Sequence, residues 1–172
     1  MKYDPDDYDD PEILAEWLEE QREHVVEYLA NEEPTFDCIK YCVPDEPDFS
    51  VAPYLAVWPV MHPDNPDYVQ YWVISGDLPT DYVSSRDATD TREVLLHFSE
   101  SWAEVAACMR AGQEHPSITM APPEMWPTLA PLLEEARSEI LREYGKRRKK
   151  KTNRERNGVK GRLSVLTVRR RF

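Results

Sequence analysis

Tyr54-Leu55-Ala56-Val57-Trp58-Pro59-Val60 and Tyr68-Val69-Gln70-Tyr71-Trp72-Val73-Ile74 decide the fold. Both runs are rich in β-branched and aromatic residues, which suit a pleated surface. Between them lies Met61-His62-Pro63-Asp64-Asn65-Pro66-Asp67, dense in turn formers. The spacing predicts an antiparallel hairpin over about 54–60 and 68–74. Pro59 has no backbone N–H, so the first strand is expected at an edge or beside a bulge.

Helical patterns flank this hairpin. Asp10-Pro11-Glu12 supplies a cap, a proline at the first helical position and an early acid. Leu14, Trp17, Leu18, Gln21, Val25, Tyr28 and Leu29 follow at helical spacing, predicting a helix over about 11–30. Asn31 and Pro34 end it. Val94, Leu95, Phe98, Trp102, Val105, Ala106 and Met109 predict a second helix over about 90–111, closed by Gly112. Thr128 is placed to cap a third, over about 129–148, with Leu129, Leu132, Leu133, Ala136, Ile140 and Tyr144 on its apolar face. Residues 31–50 read as a loop with a short extended piece at Phe36–Val43. The expected class is α+β: a small antiparallel sheet covered on one face by three helices.

Charge divides the chain more sharply than its net value of −12 suggests. Residues 146–172 hold 13 Lys and Arg against one acid, leaving 8 basic and 32 acidic residues in 1–145. The body therefore repels nucleic acid and anionic membranes, whereas the tail attracts both. The expected organisation is a mobile acidic terminus at 1–10, one acidic domain at 11–145 and a disordered basic tail at 146–172. The longest apolar runs are too short to span a bilayer. Three cysteines give no disulfide framework, and the expected compartment is the cytoplasm.

Chemistry-bearing motifs are scarce. Cys38 and Cys42 make at most half a zinc site. No phosphate-binding loop, nucleophile elbow or His-Glu-x-x-His helix is present. No catalytic, metal or cofactor-binding residue is assigned. His24 and His97 lie on helices beside apolar neighbours, as boundary histidines do. The best candidate is the turn Gly76-Asp77-Leu78-Pro79-Thr80-Asp81-Tyr82. Gly76 permits an unusual backbone angle and Pro79 fixes the next bend. Asp77, Asp81 and Tyr82 then offer contact groups, unless the aspartates only bond local backbone. Trp126, between prolines, is a further candidate contact, although packing onto the third helix suits it better.

The run Val51-Ala52-Pro53-Tyr54-Leu55-Ala56-Val57-Trp58, followed by Tyr71-Trp72-Val73-Ile74-Ser75-Gly76-Asp77-Leu78-Pro79-Thr80-Asp81-Tyr82-Val83, resembles the family known as domain of unknown function 4826. Trp17, Phe98, Trp102, Trp126 and Leu132 fit the same pattern. The resemblance spans about 11–145 and leaves the basic tail outside. It implies a small bacterial cytoplasmic protein with no established activity. The leading functional expectation is a module that binds a basic protein partner, as an inhibitor or immunity protein does. A small enzyme or ligand binder using the Gly76–Tyr82 turn is one alternative. Nonspecific nucleic-acid binding through 146–171 is the other.

Overall fold

The computed structural model describes residues 5–32, 40–118, 121–138 and 140–142. Cys38, Tyr144 and the basic tail lie outside them. Four strands, β1 (Phe49–Val51), β2 (Leu55–His62), β3 (Asn65–Ser75) and β4 (Asp81–Ser84), form an antiparallel meander in sequence order. Helix α1 (Pro11–Asn31) precedes them, and α2 (Thr91–Arg110) follows. A third helix, α3, occupies 126–138 and 140–142. The α+β class expected from the hairpin and helices is the observed one.

The hairpin is longer and tighter than expected, pairing His62 with Asn65 so that only Pro63 and Asp64 turn the chain. His62 Nδ1 accepts the Asp64 amide at 3.1 Å, which makes so short a connection possible. Two strands were not anticipated. β1 and β4 are only 3 and 4 residues long, and their role is to satisfy the outer backbone groups of β2 and β3. Pro59 lies on an internal strand, not an edge. On that side of β2, Val57 accepts the Asp48 amide and Met61 exchanges two bonds with Cys42. Pro59 falls in the gap between them, where no N–H is required, and register shifts follow immediately at Val60–His62.

The helices cover both faces of the sheet, correcting the one-faced expectation. Strand alternation sends Ala56, Trp58, Val60 and Val73 to one side, where they join Trp17, Val25 and Leu29 of α1. Leu55, Val57, Trp72 and Ile74 point the other way. They meet Val94, Leu95, Phe98, Trp102 and Val105 of α2, and Ala130, Leu133 and Ile140 of α3. Trp58 and Trp72, though on adjacent strands, thus lie on opposite faces. Their one-residue offset in register, Trp58 opposite Val73 and Pro59 opposite Trp72, makes this unavoidable.

Local capping chemistry sets the helix ends. Asp10 accepts the Glu12 amide at 2.8 Å and starts α1, with Pro11 first in the helix. Asp90 accepts the Glu93 amide at 2.9 Å, while Glu93 reaches back to the Thr89 amide at 2.8 Å. At the far end of α2, Gly112 adopts φ +67°, with Gly112 bonded to Met109 and Gln113 to Cys108. These two bonds form a Schellman stop. Thr128 does not cap α3, because a 3-10 turn at Pro123–Met125 leads the chain into helix already at residue 126. Leu132 is exposed; the buried face of α3 runs through Trp126, Ala130, Leu133, Ala136 and Ile140. Pro5–Asp9 form another 3-10 turn, which sets buried Tyr8 edge-on to Trp17. Among the described residues no helix is long and apolar enough to cross a membrane.

Candidate functional site

The Gly76–Tyr82 segment has two limbs with different tasks. The first is a structural clasp. Gly76 sits at φ +132°, and the Asp77 amide points to the Pro53 and Tyr54 carbonyls at 3.2 and 3.1 Å. This pins the end of β3 to the β1–β2 connection. Asp77 itself is exposed, and Leu78 packs towards α2 and α3. Pro79 turns the chain back so that Thr80, Asp81 and Tyr82 enter β4 beside α1. Asp77 and Asp81 thus serve different limbs of the turn.

The second limb meets three residues that sequence reasoning passed over as site candidates. His24 Nε2 lies 2.9 Å from Thr80 Oγ1, tying α1 to the turn. Tyr82 stands edge-on to Tyr71 of β3, with ring centroids 5.8 Å apart. Tyr28 of α1 lies 6.5 Å from Tyr82 at an interplanar angle of 56°. All three tyrosines are half-buried. Tyr71 and Tyr82 share a face because Tyr82 pairs with Val73, two residues from Tyr71. Tyr28 counts as one more apolar-stripe residue in the helical pattern, and no local signal marks its neighbours across the fold.

Asp81 is the electrostatic centre of this corner. Its Oδ1 accepts the Tyr82 amide at 2.8 Å. Burial holds the carboxyl above the usual carboxylate range. The Tyr82 amide opposes that shift, Glu32 adds to it, and His97 and the Tyr28 hydroxyl oppose it. Burial, followed by the negative fields of Asp81 and Glu32, likewise holds the Tyr28 hydroxyl protonated well above the ordinary tyrosine range. Among the described residues no Lys or Arg bridges Asp81.

A pH test follows from the sign of the Asp81 shift. The folded state binds this proton more tightly than the unfolded state. Its contribution to stability is therefore greatest at low pH and falls as pH rises from about 4 through the raised value. Asp81→Asn should gain stability relative to the natural protein between pH 4 and pH 7, as measured by urea unfolding. Parallel pH profiles for the two proteins would contradict the assigned burial.

Trp126 lies elsewhere, on the opposite side of the sheet from the tyrosine corner. It is buried, and its indole N–H donates to the Ala121 carbonyl at 2.9 Å. With Val105, Met109, His115 and Ile118 it lines a shallow hollow beside α2. There His115 Nδ1 accepts the Ser117 and Ile118 amides, so the proton of a neutral ring sits on Nε2, facing Glu104 at 3.7 Å. This histidine organises its own loop. Among the described residues no group of three His, Cys, Asp or Glu is placed to hold a metal ion.

The fold and corner together define an α+β domain in which a meander sheet is enclosed by one helix on one face and two on the other. The chain belongs to the family described as domain of unknown function (DUF4826), which matches residues 12–125. That span contains α1 from Glu12 onward, the whole sheet, the Gly76–Tyr82 turn and α2. Neither the curated proteins nor the solved structures provide a match.

Proposed function

We propose that this protein is a protein-binding module whose contact face is the outer side of α1 together with the Thr80–Tyr82 limb, and that its partner is basic. The observation that carries the proposal is the arrangement of charge on α1. Glu12, Glu16, Glu19, Glu20, Glu23 and Glu27 are all exposed on the helix whose inner face packs on the sheet. Arg22, the one Lys or Arg of this helix, donates to the Val43 and Pro44 carbonyls and lies 3.4 Å from Asp45. Its charge is thereby drawn towards the 43–45 segment. An acidic face of this kind speeds encounter with a basic protein and makes binding salt-dependent. An inhibitor or immunity-like role against a basic target is the concrete form this takes. Asp81 and Tyr82 contribute contacts, Gly76 and Pro79 shape the turn that presents them, and exposed Asp77 adds negative charge to the same turn.

Affinity capture from the native host tests the proposal. The full-length protein should recover a basic protein at low salt and lose it at high salt. The triple variant Glu16→Gln, Glu19→Gln, Glu23→Gln should fail to recover it. Identical recovery by the natural protein and the variant would remove α1 as the contact face.

A further inference from the structure

Resting on the reading of α1 as a contact face, we propose that the basic segment 146–171 of the same chain docks along the outer side of α1, and that an incoming basic partner must displace it. The segment lies outside the described residues, and its sequence supplies the complementary charge: 13 Lys and Arg against Glu155 alone. Among the described helices, α1 is the one whose charge is least offset along its own length. Its 21 residues hold six Glu and one Arg, and Arg22 is drawn towards the 43–45 segment. By contrast, α2 and the 126–142 span of α3 each set three Glu against two Arg. Arg110 of α2 is also paired with Glu134 of α3.

Spacing on α1 suits a polycation laid lengthwise. Glu19, Glu23 and Glu27 are exposed and recur every four residues, which stacks them in one row along the helix. Like charges at that spacing destabilise a helix, and a row of cations reverses the effect. Val26, one turn from Glu23, is an exposed apolar side chain that the aliphatic stems of Lys and Arg can cover. Reach is sufficient as well. Thirty residues follow Arg142, the last described residue of α3, and an extended chain of that length spans up to about 100 Å. Helix α1 is roughly 30 Å long. The segment can therefore pass from the α3 side of the sheet to the α1 side and run along the helix. Tethering presents it at an effective concentration of about 1 mM, so contacts too weak to persist between separate molecules persist within one. The tail then acts as an internal competitor, which only a better-matched basic surface displaces.

Zero-length carbodiimide coupling of the full-length protein at low salt, mapped by mass spectrometry, provides the first arm of the test. Lys146, Lys149, Lys150, Lys151 and Lys160 should couple to Glu19, Glu23 and Glu27 in preference to the exposed Glu100 and Glu104 of α2 and Glu135 of α3. The products should be monomers. The second arm titrates the protein with capped decalysine, standing in for the basic partner. The tail variant K146Q, R147Q, R148Q, K149Q, K150Q, K151Q should bind decalysine about tenfold more tightly than the natural protein. When Glu16→Gln, Glu19→Gln and Glu23→Gln are also present, the same tail changes should alter affinity less than about twofold. That comparison separates displacement from a general change in net charge. Three results overturn the docked tail and leave the acidic face standing: coupling spread evenly over the three helices, coupling confined to dimers, or equal tightening in both backgrounds. No decalysine binding by the tail variant at low salt overturns the acidic-face reading beneath it, and the docked tail with it.

Discussion

Gly76→Ala is expected to destabilise the fold by about 3 kcal/mol or more, because two costs add at one atom. A Cβ at Gly76 would lie 2.4 Å from the Tyr54 carbonyl oxygen and 2.7 Å from Leu55 Cα. Both are backbone atoms where the chain enters β2, so neither can swing aside. The φ of +132° adds a conformational cost that side-chain-bearing residues rarely meet. Gly112→Ala separates the two effects. Its φ is +67°, but a Cβ there meets nothing within 4 Å, so only the backbone cost of about 1–2 kcal/mol applies. Urea unfolding of both variants should give a clearly larger loss at Gly76. Equal losses would mean that the clasp against Tyr54 relaxes freely.

Trp58→Ala should cost about 3–5 kcal/mol, a large share of the roughly 5–15 kcal/mol that holds such a domain folded. Trp58 is wholly buried under α1, in the cluster that contains Trp17, Val25 and Leu29. Its indole N–H donates to the Ser75 hydroxyl at 3.1 Å, and Ser75 is also wholly buried. Truncation therefore opens a cavity and strands a buried hydroxyl together. Trp58→Phe keeps most of the volume and loses only the polar contact, so it should cost about 1–3 kcal/mol. Chemical denaturation orders the two variants. A loss below about 1.5 kcal/mol for Trp58→Ala would show that α1 contributes little to holding the sheet.

Sequence reasoning succeeded where the deciding physics is local. Asp10 with Pro11 marks the start of α1, and Gly112 the end of α2, through bonds made within a few residues. The seven-residue stripe of α2 is buried in full, because helical periodicity alone dictates that face. The α3 stripe was less legible. Leu132 is as apolar as Leu133, and only the start of the helix at 126 decides which of them faces inward.

The Gly76–Tyr82 segment shows the same division within one turn. Its glycine and proline announce a specific backbone path, and that path exists. What it clasps, the Pro53–Tyr54 carbonyls, is over twenty residues away in sequence. The tyrosine corner was less visible still, since Tyr28, Tyr71 and Tyr82 come from a helix and two strands. Their chemistry arises from convergence, not from spacing. Trp126 was similarly ambiguous. A tryptophan between prolines gives no periodic face, and only the packing of α2 beside it decides that it is buried.

By itself, then, the sequence determined the two central strands, the helices, the cap that starts α1, the glycine that ends α2, the charge of α1 and the resemblance that the family match over 12–125 bears out. These rest on propensity, periodicity and composition, which act within a few residues. Tertiary structure alone decided that helices enclose both faces of the sheet, that β1 and β4 complete its edges, and that Tyr28, Tyr71 and Tyr82 meet. Those depend on which backbone groups remain unsatisfied and which faces remain apolar once the central hairpin has formed, and no local stretch of chain contains that information.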